Sequence, residues 1–158
     1  MKHVTVRPLL FGDIAALVKW VTALDFFARY APSETKLARE LERALKRSDL
    51  VLVAEQKKPK TVIAVVWCQA GGAFGRSGFL RMLAVSSEQQ HKGVGSLLLK
   101  EAEAFTENVS YDLFFLVPDF AKDVQAMAEA KGYQQTGGVP DYTLQDVTDL
   151  IYRKRFED

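Results

Sequence analysis

Arg81-Met-Leu-Ala-Val-Ser-Ser-Glu-Gln-Gln-His-Lys-Gly-Val-Gly-Ser-Leu-Leu-Leu-Lys100 runs from an apolar strand through a polar turn into two glycines and then opens a helix. That order builds a cradle for an anion. Glycine lets the backbone come close to a bound group, and a helix starting near Gly93 aims unpaired N–H groups and the positive end of its dipole at the same point. The spacing narrows what can sit there. A dinucleotide fingerprint needs a third glycine where Leu98 stands, and a Walker-type loop needs a lysine where Ser96 and Leu97 follow the second glycine. Both nucleotide-phosphate patterns fail at those positions.

Upstream, Val4 and Val6 alternate with polar neighbours as a half-buried strand does, and Pro8 ends it. Ile14, Leu17, Val18, Val21 and Leu24 recur at helical spacing from Asp13 until Ala31-Pro32. Ser33 caps a second helix with Leu37, Leu41 and Leu45 inward and Arg39, Glu40, Glu42, Arg43 and Lys46 outward. Leu50–Glu55 and Val62–Trp67 read as an antiparallel hairpin joined by Lys57-Lys58-Pro59-Lys60, and Gly71–Gly78 as a flexible connection to a strand over Phe79–Val85. The helix after the cradle buries Val94, Leu97, Leu98, Ala102 and Phe105. Tyr111–Val117 is a nearly all-apolar central strand, parallel to the one before the cradle. A helix over about Phe120–Lys131 stops at Gly132, and Tyr133 and Asp149–Phe156 supply closing strands. The expected class is mixed α/β.

With 158 residues the chain fits one domain, 1–158, and 21 basic against 20 acidic residues give no electrostatic case for nucleic acid or an anionic membrane. No apolar run approaches the roughly 20 residues that cross a bilayer. Cys68 has no partner for an intrachain disulfide, and the chain enters its first strand without an apolar leader, so a cytoplasmic location is expected. His3, His91 and Cys68 are scattered without ligand spacing, and no metal site is expected.

Gln90-His91-Lys92-Gly93-Val94-Gly95 resembles the Gln/Arg-x-x-Gly-x-Gly/Ala signature of the GNAT family of N-acetyltransferases, and the flanking strand and helix sharpen the match. The order of elements resembles that family along almost the whole chain, and Gly132-Tyr133 takes the place of its Gly-Phe/Tyr after the last helix. The resemblance implies an acyl-CoA N-acyltransferase-like fold, a mixed sheet of about six to seven strands flanked by about four helices. It implies acetyl-CoA as cosubstrate, held along Leu83, Ala84 and Val85 and by Gln90, His91, Lys92, Gly93, Val94, Gly95 and Ser96. The acceptor is then an amine of a small molecule or peptide, and direct transfer is the expected reaction. A strand edge near the C-terminus is where a second copy could pair.

The family's polar positions are missing here. Its usual tyrosine acid falls on Ala128, its cofactor asparagine on Ala121, and the glutamates of some relatives on Leu116 and Phe79. Glu55, Asp119, Tyr142 and Tyr133 remain as candidate proton-transfer groups by their expected nearness to strand ends, and Trp67, Phe74 and Tyr142 as an apolar acceptor entrance. The alanines also leave open a non-catalytic acyl-CoA-binding or regulatory domain. Without a base, an α-amine with a pKa of about 7.7–8.0 is a better acceptor at neutral pH than a lysine amine near 10.4.

Overall fold

The structure, a computed structural model, describes residues 3–157. Its elements in chain order are β1 (Val4–Pro8), α1 (Ile14–Ala23), α2 (Asp25–Ala28), α3 (Glu34–Lys46), β2 (Leu50–Lys57), β3 (Lys60–Ala73), β4 (Ser77–Val85), α4 (Val94–Glu107), β5 (Asp112–Pro118), α5 (Lys122–Ala130), β6 (Gln134–Pro140) and β7 (Thr148–Arg155). The seven strands form one sheet in the order β1-β2-β3-β4-β5-β7-β6. Every neighbouring pair is antiparallel except β4 and β5.

Successive strand residues point to opposite faces, so an unbroken apolar run feeds two cores. In β3, Val65 and Trp67 face α1 and α3, while Val66 and Cys68 face α4. The first core is closed by Leu17, Val21 and Leu41, and the second by Leu98, Leu113, Tyr133 and Tyr152. A sheet covered on both faces explains why Val62–Trp67 carries no polar alternation.

Three expectations are corrected. The first helix ends at Ala23, because Leu24 turns extended (φ −64°, ψ 136°) and the chain makes only the single turn α2 before Ala31. Gly71–Gly78 is not a flexible connection: β3 continues to Ala73, and Phe74 and Gly75, both left-handed (φ 57° and 71°), form a tight hairpin turn into β4. Two left-handed residues match the strand twist, which is why the hairpin closes there. Gly72 serves packing instead, since a Cβ would lie 2.8 Å from that of Phe79. Third, the buried stripe of α4 is Val94, Leu98, Leu99, Ala102 and Thr106, with Leu97 and Phe105 half-buried. Tyr133 stands just before β6, an edge strand whose residues are mostly exposed and show no apolar alternation.

Gly78 sets how closely α4 packs on the start of β4. A Cβ there would meet Thr106 Cγ2 at 2.7 Å and the Asp112 carbonyl at 3.3 Å. Gly78→Ala is expected to destabilise the fold by about 1–3 kcal/mol through overpacking. Adding Thr106→Ser, which removes the nearest methyl, should recover part of that loss in a denaturant-unfolding double-mutant cycle.

Candidate active site

The parallel strands β4 and β5 pair only at Gly78 with Leu113 and Phe79 with Phe114. Beyond those two pairs they separate. β4 stays with β3 as far as Val85, and β5 stays with β7 until Pro118 lies opposite Asp149. At the parting point Cys68 lies opposite Leu80 but Trp67 opposite Met82, so Arg81 is an extra, bulged residue on β4. A bulge bends its strand and disrupts the ladder locally, which accounts for the divergence. Past it, the edge of β4 that faces β5 has no strand partner, and its backbone groups are available to a ligand.

The fork encloses a cavity of about 700 Å³ that passes through the sheet. On one face it is walled by Leu99, Val124 and Met127, and on the other by Leu24, Phe26 and Phe27, with Leu80–Val85 and Phe115 between them. Ligands can therefore approach from opposite faces. At the mouth, Gln90 lines the cavity and donates from Nε2 to the Val85 carbonyl (3.0 Å).

The turn after Val85 has the expected form. His91 (φ 63°) and Gly93 (φ 87°) are left-handed, and Gly93 is the N-cap of α4, with no side chain capping the helix. Leu97 N–H to the Gly93 carbonyl (3.1 Å) is the first backbone bond of α4, so the amides of Val94, Gly95 and Ser96 are unpaired at its positive end. Left-handed residues followed by free helical amides form a concavity suited to a phosphate. Gly95 stands in ordinary contact, its Cβ position 3.5 Å from Val85 Cγ2, and a methyl would fit there. His91 and Lys92 are exposed beside the turn. An acyl-CoA fits this arrangement by two observations: the unpaired edge of β4 and the unpaired amides at the start of α4.

The four side chains singled out for proton transfer are not gathered at the fork. Glu55 on β2 accepts from Arg7 Nη2 at 2.8 Å, and Asp13 binds the same guanidinium through both oxygens (2.8 and 3.0 Å). Asp119 accepts the Thr148 N–H (3.1 Å) and so fastens β7 to the end of β5. Asp149, buried on β7, accepts the Thr143 hydroxyl (2.8 Å), which ties down the loop that carries the exposed Tyr142. Tyr133 is buried against α4, where its hydroxyl donates to Glu103 (2.9 Å). Burial first, and the Glu103 charge second, push that phenol far above its ordinary range. Trp67 is a core residue whose indole donates to Asp49 (2.9 Å), and Phe74 sits at the opposite end of β4 from the fork. Neither stands at an acceptor entrance. Ala128 is fully buried, while Val124 and Met127 present the cavity face of α5. Burial raises the Cys68 thiol to about 11, which leaves it protonated and a poor nucleophile near neutrality.

The residues that periodicity missed are those of the α1–α2 corner. Leu24-Asp25-Phe26-Phe27 lines the cavity, and its one signal in the sequence is the adjacent Phe26-Phe27 pair following the periodic stripe just before Ala31-Pro32. Asp25 and Arg81 are the charged residues of the lining, and Arg81 is already engaged by Glu40 (2.9 Å) and lies 4.5 Å over the Trp67 ring.

A mixed seven-stranded sheet, a fork at its single parallel pair and a left-handed turn with unpaired helical amides behind it make up an acetyltransferase fold. The model of the acetyltransferase (GNAT) family matches residues 16–133, and the chain belongs to that family. Among solved structures, a GNAT-family protein from Desulfovibrio desulfuricans is similar with a TM-score of 0.81 and 20% identity, over 96% of this chain and 98% of that one. The ribosomal-protein-alanine N-acetyltransferase of Brucella melitensis is similar at 0.79 and 18%, over 96% and 99%. A phosphinothricin acetyltransferase from Sinorhizobium meliloti, in complex with acetyl-CoA, is similar at 0.77 and 16%, over 98% and 89%. No curated protein matches the sequence. Among the described residues there is no cluster able to hold a metal ion and no helix long and apolar enough to cross a membrane.

The Arg7 cluster has a pH signature. The hydrogen bonds from Arg7 hold Asp13 below its ordinary range, so its contribution is present above the unfolded carboxylate pKa near 3.9 and is lost as pH falls through the folded value. Asp13→Asn is expected to lower unfolding stability by about 1 kcal/mol at pH 7. The gap from the parent should close in urea titrations run at progressively lower pH.

Proposed function

We propose that this protein transfers an acetyl group from acetyl-CoA directly to an amine. The observation that carries the reading is the edge of β4 past the bulge at Arg81, which has no strand partner, together with the free amides at the start of α4 beyond the turn that follows Val85. Leu83 and Val85, on either side of Ala84, whose own peptide groups face β3, would hold the pantetheine arm by main-chain bonds, and the backbone from His91 through Ser96, Gly93 and Gly95 included, would hold the pyrophosphate, with Gln90 fixing the turn. Bound there, acetyl-CoA supplies the activated acetyl group. A β4 amide past the bulge can donate to a carbonyl oxygen as charge develops on it.

The acceptor enters from the α1–α2 face. Leu24, Phe26 and Phe27 make that wall apolar, and Asp25, the one carboxylate of the lining, would receive an ammonium there. An apolar wall disfavours a charged amine deeper in, which suits an acceptor that is readily neutral near pH 7. Glu55, Tyr133 and Asp119 are committed to structural bonds, so the neutral amine is supplied by a low pKa of the acceptor's own ammonium group. The non-catalytic alternative draws on one observation, the two alanines at positions 121 and 128, and predicts binding without turnover.

Calorimetric titration with acetyl-CoA tests the cradle. One-site binding is expected for the parent, with at least tenfold weakening in Gly93→Glu and in Ser96→Glu. A carboxylate at position 96 favours the first turn of α4, so that variant should stay folded while repelling a diphosphate. No binding to the folded parent would end the enzyme reading.

The acceptor is tested by comparing one peptide in α-amino and ε-amino forms at pH 7. Faster acetylation of the α-amine is expected, and Asp25→Asn should raise KM about two- to fivefold with kcat little changed. Faster lysine acetylation would sink the acceptor assignment, and binding without turnover on any amine would favour the regulatory domain.

A further inference from the structure

At the other end of β4 and β5 lies a concavity of about 850 Å³ that shares no lining residue with the fork. It is within the roughly 300–1,000 Å³ typical of small-molecule sites. Six large hydrophobic side chains are strongly exposed among the described residues, and Phe74, Val109 and Tyr111 of those six line this one hollow. Single exposed apolar residues are ordinary, but a grouped set marks a contact surface. Phe74 is 79% exposed yet sits on a left-handed backbone (φ 57°) that a bulky residue rarely adopts, and its ring is braced edge-to-face on Phe114 at 5.5 Å. The left-handed backbone belongs to the hairpin turn, and the ring it carries, braced on Phe114, presents a flat apolar face to the hollow.

The charged lining is mixed. Arg76, Arg153 and Arg155 face Glu107 and Asp112, an excess of one positive charge. Asp112 is engaged by Arg153 at 2.7 Å, whereas Arg155 lies 3.9 Å away, beyond hydrogen-bond reach, and stacks at 5.9 Å over Tyr111. Arg76 is exposed and makes no ion pair among the described residues. Arg155, loosely paired with Asp112, and the exposed Arg76 therefore line the same hollow as the exposed rings of Phe74 and Tyr111.

We propose that this hollow is a second binding site, for a small ligand that joins a flat ring to an anionic group. The ring packs against Phe74 and Tyr111, and a carboxylate or phosphate takes paired N–H donors from Arg76 and Arg155. The inference is independent of the transferase reading, because none of these residues touches the fork.

Phenylacetate and adenosine monophosphate supply the two possible anions on a flat ring, and benzyl alcohol and inorganic sulfate supply the ring or the anion alone. Each is titrated into the ¹⁵N-labelled full chain, parent and Ser96→Glu, the latter to silence phosphate binding at the cradle. At least one ring-bearing anion should give saturable shifts of the amides of residues 74–77 and 109–112 in both proteins. Affinity should fall about tenfold in Arg76→Gln and in Arg155→Gln, exposed positions where the fold is not at stake. The stronger of the two probes then distinguishes carboxylate from phosphate. Equal binding of benzyl alcohol or sulfate, shifts confined to the fork, or no saturation by either ring-bearing anion would overturn the proposal.

Discussion

The pairing of β4 with β5 stops after two residue pairs, and the rest of the molecule is arranged around that interruption. A sheet normally satisfies its backbone groups by continuing. Here the bulge at Arg81 turns β4 toward β3 while β7 holds β5, so a pair of adjacent parallel strands is pulled open from both sides. The opening persists because each strand is held by a partner on its outer edge and packed above and below. Gly78 matters for the same reason: it sits in one of the two remaining pairs, directly under Thr106 of α4. The helix that clamps the base of the fork is the one whose first turn faces the ligand side.

Two separate cores make this division possible. The α1 and α3 face and the α4 and α5 face are packed independently, and the cavity is the place where they communicate. A fork without layers on both faces would be an exposed strand edge, open to pairing with another chain. With them, it is a channel walled by Leu99, Val124 and Met127 on one side and by the α1–α2 corner on the other. Ion pairs such as Arg7 with Asp13 and Glu55 lie away from this channel, which leaves its interior mainly apolar and spares few charges for chemistry.

Most of the fold was legible because it rests on periodicity and on punctuation. The runs at 50–55, 62–67 and 111–117, the stripe from Ile14 to Val21 and the glycine-bearing turn at 90–95 each became the element expected. Where the reading failed, local pattern lost to context. Glycines at 71–78 suggested freedom, but Gly72 and Gly78 are there because neighbouring atoms leave no room for a side chain. Leu24 continued the helical spacing and nevertheless left the helix. The turn with its free amides could be found from sequence because it is made by consecutive residues. The side chains chosen for proton transfer could not, since whether a carboxylate is free depends on partners far away in the chain: Arg7 for Glu55, Thr148 for Asp119.

The open edge of β4 also bears on how such a chain changes over time. Its donors and acceptors are peptide groups, which every residue carries, so residues 83–85 can be exchanged for others of similar size without altering what the edge presents. An edge made of peptide groups can keep one shape while its sequence drifts, and solved structures at 16–20% identity share nearly all of this architecture.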